Sequence, residues 1–265
     1  MKAKSRKRLL ISSIAMLLVA MLALGTATFA WFTQNTSATA EGLTMRTSKT
    51  SSLLVSDDTQ EYASSVTYQD VQAVMFPASS IDGQHWYYTY ADATASYAST
   101  QTPQTVPGTL GTATANKYVF ADQLNIKNEG DVQVSDITIT VSGWNTSTRY
   151  LNMALVPVSN KVTGGDTSMT AANFQNSANV YSDAATAYNP VSATGAFQTT
   201  TTITPTAKTS STWTISVPNL AANSEAHYNL FIWFEGQDTD CKDANAGQGI
   251  SGMQFTITGT PVTES

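Results

Sequence analysis

Residues 134–142 read Val134-Ser135-Asp136-Ile137-Thr138-Ile139-Thr140-Val141-Ser142. Ile137, Ile139 and Val141 alternate with Thr138, Thr140 and Ser142, which puts branched apolar side chains on one face of an extended chain and hydroxyls on the other. The same period of two recurs at Tyr118–Ile126, Leu151–Val158, Thr212–Val217, Tyr228–Phe234 and Met253–Ile257. Each run is rich in Val, Ile, Thr, Tyr, Phe and Trp and is bounded by Gly, Asn, Asp or Pro. Many strands with one wet face predict an all-β fold of two sheets packed on each other.

Composition agrees. Of 265 residues, 42% are hydrophobic and only 12% are charged, about half the usual charged share of roughly 25%. A chain so poor in charge and rich in hydroxyls is a poor helical bundle, and its 5 Trp, 11 Tyr and 9 Phe argue against disorder.

Two connections stand out. Lys127-Asn128-Glu129-Gly130-Asp131 separates two strands with the Asn and Gly content that tight turns need for positive φ, and Pro218-Asn219-Leu220-Ala221-Ala222-Asn223-Ser224 breaks the Trp213 strand from the Phe231 strand. The polar stretches 82–111 and 163–190 read as long insertions, with one or two short helices expected, one of them at Thr170–Val180. No repeat and no linker divides residues 43–260, which form one sandwich domain, with 261–265 as a tail.

The termini carry their own signal. Lys2, Lys4, Arg6, Lys7 and Arg8 precede the apolar run Leu9–Leu24 and the small-residue exit Gly25-Thr26-Ala27-Thr28-Phe29-Ala30. That order is a secretory signal peptide spanning 1–30, with cleavage between Ala30 and Trp31. The second reading is an uncleaved anchor, because Leu9–Phe32 is long enough to span a bilayer. Removing five of the 13 basic residues and none of the 19 acidic ones moves the formal charge from −6 to −11, so nucleic acid is excluded as a partner. A lone Cys241 cannot form an internal bridge. It is expected to be solvated or half-buried, with an intermolecular disulfide as the second reading. The expected location is secreted, extracellular or at a bacterial cell surface.

The search for chemistry excludes more than it finds. His85 and His227 are the only histidines; there is no H-E-x-x-H, no G-x-S-x-G elbow, no phosphate-binding Gly-rich loop and no Cys/His cluster, so no enzyme is expected. The acidic run Glu235-Gly236-Gln237-Asp238-Thr239-Asp240-Cys241-Lys242-Asp243 offers hard oxygen ligands at Glu235, Asp238, Asp240 and Asp243. A calcium ion is the one cofactor they suggest, and a solvated acidic turn is the plainer reading. Trp86, Tyr87, Tyr88 and Tyr90 could stack on a sugar ring, or pin an insertion to the sandwich, which is the preferred reading.

The exit Gly25-Thr26-Ala27-Thr28-Phe29-Ala30-Trp31-Phe32-Thr33 followed by Gly42-Leu43-Thr44-Met45 resembles the N-terminus of TasA and camelysin-type proteins, which a SipW-type signal peptidase cuts before an aromatic-containing segment. Leu124-Asn125-Ile126-Lys127-Asn128-Glu129-Gly130-Asp131-Val132 resembles that family's strand, Asn-x-Gly, strand element. Phe231–Asp238 is similar to a late strand and turn of related clostridial surface proteins. The resemblance implies a jelly-roll sandwich assembled into biofilm-matrix fibres, in which the exposed segment 31–42, beginning Trp31-Phe32-Thr33-Gln34-Asn35, acts as a donor strand to the next subunit. Its partners would be copies of itself, the signal peptidase during export, and cell-wall or matrix glycans. The metallopeptidase activity described for camelysin-type proteins does not carry over, since no zinc motif is present. The second functional reading is a secreted adhesive or carbohydrate-binding module.

Overall fold

The computed structural model describes residue 16 and residues 43–47, 53–58, 61–68, 75–88, 102–112, 114–144, 150–161, 179–200, 203, 206, 212–241, 250 and 253–262. The expected leader, the Ala30–Trp31 cleavage site and the segment Trp31–Asn35 lie outside these residues, apart from Met16. No helix among the described residues is long and apolar enough to cross a membrane.

The strands are β1 (Leu43–Thr47), β2 (Leu53–Ser56), β3 (Ser65–Tyr68), β4 (Ala78–Ser79), β5 (Tyr87–Tyr88), β6 (Gln104–Thr105), β7 (Val119–Asn128), β8 (Val134–Ser142), β9 (Leu151–Val158), β10 (Val180–Ser182), β11 (Thr212–Val217), β12 (Glu225–Phe234) and β13 (Gln254–Pro261). Two five-stranded sheets form, one in the order β11-β8-β13-β1-β3 and the other β10-β9-β12-β7-β2. The fold is the expected all-β sandwich. All six strands expected from alternation are present, β8, β9 and β11 with the expected bounds.

The pairing follows the pattern that revealed the strands. Ile139 lies opposite Ile215 on one side and Ile257 on the other, and Val141 opposite Trp213 and Phe255. Alternating residues of β8 therefore face the other sheet together with their neighbours, in a core that includes Tyr68, Phe120, Leu124, Ile126 and Met253. Burial along β8 and β11 alternates as half-buried strands should.

Sheet β10-β9-β12-β7-β2 departs from the expectation of one wet face. Residues 151–156 of β9 and 228–234 of β12 are buried without alternation, because a second apolar cluster covers the outer face. Trp86, Val106 and Ala115 there pack with Val119, Ala154, Val156, Phe231 and Trp233. The small sheet β4-β5-β6 belongs to this cover. A sheet buried on both faces reads as a continuous apolar run, and Phe231-Ile232-Trp233-Phe234 is one.

The two connections are not hairpins. Each carries the chain from one sheet to the other, β7 to β8 and β11 to β12. The Asn128 side chain ties them together: its Nδ2 donates to the carbonyls of Val132 (2.8 Å), Leu220 (3.2 Å) and Ala221 (2.9 Å), and its Oδ1 accepts from Gly130 N (3.0 Å). The positive φ falls on Asn223, at 55°, rather than on Gly130.

Helix is scarce. One 3-10 turn occurs at Ala115–Lys117. Of the helix expected at Thr170–Val180, residues 170–178 lie outside the described residues, and Val180 begins a strand paired with Ala154 of β9. Beta-branched Val180 is 3% exposed and takes up strand geometry against that neighbour.

Candidate functional site

The acidic turn after β12 points inward. Glu235 is 0% exposed and Asp238 1% exposed, which overturns the reading of a solvated turn. Both oxygens of Glu235 are occupied: Oε2 accepts from Trp233 Nε1 at 3.0 Å and from Asn152 Nδ2 at 3.5 Å, and Oε1 from Gln237 N at 3.0 Å. Asn152 Nδ2 also reaches the buried hydroxyl of Tyr188. Asp238 Oδ1 accepts from Asp240 N at 2.8 Å, while Oδ2 is buried with no hydrogen-bond partner. Burial pushes the Glu235 carboxyl up to about 7 and that of Asp238 to about 6. Asp243 lies outside the described residues. Both oxygens of Glu235 are thus engaged by protein donors.

A convergence of three carboxylates occurs elsewhere. Ligand oxygens of Asp57, Asp58 and Asp122 lie within 4.8 Å of one another. Antiparallel pairing of β2 with β7, Ser56 opposite Asn125, carries Asp57 and Asp58 alongside Asp122. Oδ1 of Asp122 accepts from Gln123 N (2.6 Å) and Asp58 N (3.3 Å). Burial first, and then the charge of Asp58, push Asp122 up to about 7. Oxygen sets of this kind take divalent cations. Lys161, whose Nζ meets Ser56 Oγ at 3.0 Å, brings positive charge to the adjoining residue. The sequence hid this group because 64 residues separate Asp58 from Asp122.

The aromatic stretch divides. Trp86 is 3% exposed, its ring 5.8 Å from Phe231 and 5.1 Å from Trp233, and its Nε1 donates to Gly83 O at 2.9 Å. It is a pin for the insertion and offers no ring face to a sugar. Tyr88 is half-buried against Tyr118, 5.3 Å away. Tyr87 is half-buried and donates from its hydroxyl to Ala193 O at 2.9 Å. Tyr90 lies outside the described residues.

The loop before this stretch is tightly built. Ser80 Oγ accepts from the N–H of Asp82 (3.3 Å) and of Gly83 (2.8 Å). Asp82, 4% exposed, accepts at Oδ1 from Gln84 N (2.9 Å) and His85 N (2.8 Å), and its Oδ2 stands 2.6 Å from His85 Nδ1. Burial pulls the Asp82 carboxyl upward, but the hydrogen bonds from His85 and Gln84 outweigh it and the group sits below its ordinary range. His85 itself is exposed. It borders a pocket of about 210 Å³ whose walls include Gln84, Tyr87, Thr105, Val106 and Leu110.

No family model, curated protein or solved structure matches the chain. The geometry therefore stands alone. His227 has its Nδ1 2.8 Å from Asn125 Oδ1. Cys241 is 3% exposed, a core thiol whose amide donates to Asp238 O at 3.0 Å; it is neither solvated nor presented to a second chain.

Proposed function

We propose that the chain is an exported structural protein of the cell surface or extracellular matrix, a fibre subunit that assembles through its mature N-terminal segment 31–42. The observation that carries this reading is the character of the sheet edges. In the sheet β11-β8-β13-β1-β3 the outer strands are β3 and β11, with sequences SVTY and TWTISV, and neither holds a charged residue or a proline. In the other sheet the β2 edge pairs with Ala63 through Val55 and the β10 edge with Thr206 through Ser182. Edge strands of monomeric proteins are commonly guarded by such residues; unguarded ones favour strand addition, in which backbone hydrogen bonds give affinity and side-chain pockets give selectivity.

The position of β1 supports the same reading. This strand directly follows the segment and lies between β13, in parallel, and β3, antiparallel. The sheet thus takes in a strand delivered from the N-terminal side. Cleavage before Trp31 would free two aromatic residues at the new terminus and so start assembly. Chains beginning at Trp31 and at Glu41 should be purified and imaged by electron microscopy. Filaments are expected from the longer chain alone, and equal assembly by the shorter one rejects the reading.

A further inference from the structure

The insertions at 82–111 and 163–190 matched nothing in the sequence resemblance; among the described residues, Tyr87 of the first and Ser79 just before it pack against the loop 191–195 that follows the second. Val191 N donates to Ser79 Oγ at 2.9 Å, and Tyr87 Oη to Ala193 O at 2.9 Å. Gly195, at φ +78°, lies so close that a Cβ there would meet Tyr87 Cε1 at 2.8 Å. Such long loops, held on a rigid scaffold, are where binding residues concentrate. The pocket of about 210 Å³ is lined by residues of the first insertion.

Its chemistry selects a ligand. Among the described residues, none that lines the pocket is Asp, Glu, Lys or Arg, so the lining they provide is uncharged. Gln84, His85 and Thr105 supply amide, imidazole and hydroxyl groups; Tyr87, Val106 and Leu110 supply apolar surface. Asp82 fixes the imidazole. The Asp82 carboxylate 2.6 Å from Nδ1 engages that nitrogen and leaves Nε2 to bond a ligand. A buried aspartate receiving two backbone N–H groups while steering an exposed histidine is a supported polar group, preorganised before any ligand arrives. The volume is below the roughly 300 Å³ at which pockets for drug-sized ligands begin, enough for one six-membered ring.

We propose that this pocket binds a single neutral sugar ring, with His85 Nε2, Gln84 and Thr105 taking the hydroxyl edge and Tyr87, Val106 and Leu110 the C–H face. The site does not depend on fibre assembly. It takes the place of the stacking alternative: of the aromatic residues offered for that platform, Trp86 and Tyr87 line the pocket, Trp86 at only 3% exposure.

Saturation-transfer NMR on the chain beginning at Trp31 tests the proposal, with methyl β-glucoside, methyl β-galactoside, methyl α-mannoside and N-acetylglucosamine as probes and glucuronate as the charged control. At least one neutral sugar should receive saturation and glucuronate should not. His85→Ala and Thr105→Val should each weaken binding about tenfold, the loss of one hydrogen bond, with the cooperative melting of a folded chain retained. The chain beginning at Glu41 should bind as well as the longer one, which separates this site from assembly. Binding of none of the four neutral sugars, equal binding by His85→Ala, or equal binding of glucuronate overturns the proposal.

Discussion

Trp233 and Glu235 stand two residues apart at the end of β12 and are joined by a 3.0 Å hydrogen bond from indole Nε1 to carboxylate Oε2, at 1% and 0% exposure. The other oxygen of Glu235 receives Gln237 N, so the site needs an acceptor at both positions. Glutamine offers one acceptor and one donor, and its NH2 must face an N–H. Glu235→Gln should therefore destabilise the fold by about 1–3 kcal/mol, the cost of a buried group left unpaired. Urea unfolding at pH 8 measures this. A loss below about 0.5 kcal/mol would show that the network tolerates the mismatch.

Buried Glu235 and Asp238 and half-buried Asp122 set the pH response. Glu235, Asp122 and Asp238 titrate at about 7, 7 and 6 in the fold, against 4.5, 3.8 and 3.8 as ordinary values. Between roughly pH 4 and 7 the folded chain binds more protons than the unfolded one, so these groups make stability fall as pH rises. His227, lowered chiefly by burial, opposes them below its ordinary 6.5, but it is one group against three. The melting temperature should be higher at pH 5 than at pH 8 by scanning calorimetry; the reverse order contradicts the assignment.

Asp122→Asn separates charge from hydrogen bonding. An asparagine Oδ1 can still accept from Gln123 N and Asp58 N, while the charge beside Asp57 and Asp58 is gone. At pH 8 and without added divalent cations the variant should gain on the order of 1–3 kcal/mol. At pH 5, where Asp122 is protonated in the folded protein, the gain should vanish. Urea midpoints at the two pH values decide it, and a variant less stable at pH 8 counts against repulsion as the dominant effect.

Gly259 sits at the register shift of β13 between Thr258 and Thr260. A Cβ built there would lie 2.5 Å from Val134 Cγ1 and 3.1 Å from Leu53 Cδ1. Val134 is 0% and Leu53 1% exposed, so neither can swing into solvent. Gly259→Ala should cost about 1–3 kcal/mol by overpacking, read by thermal melting. Unchanged stability would mean that β13 shifts to make room.

The sandwich was legible in Ile137, Ile139 and Val141 because a strand with one buried face writes its period into the chain. Trp86 was legible only as one of two alternatives, since an aromatic run looks the same whether it faces a sugar or Phe231. Asp82 and His85, three residues apart, were within reach of sequence reading, through the short Ser-x-Asp-Gly turn that precedes the histidine. The group of Asp57, Asp58 and Asp122 was not, because it exists only when β2 lies beside β7.

Composition and alternation by themselves determined the all-β class and the strand positions, since both follow from local geometry and the transfer of apolar faces out of water. The tertiary structure alone decided which sheet each strand joins, that the turn at Glu235 faces inward, and that the outer face of β12 is covered by Trp86. Those outcomes depend on contacts between residues far apart in the chain, where burial changes an acid from a solvated surface group into a proton-binding element of the core.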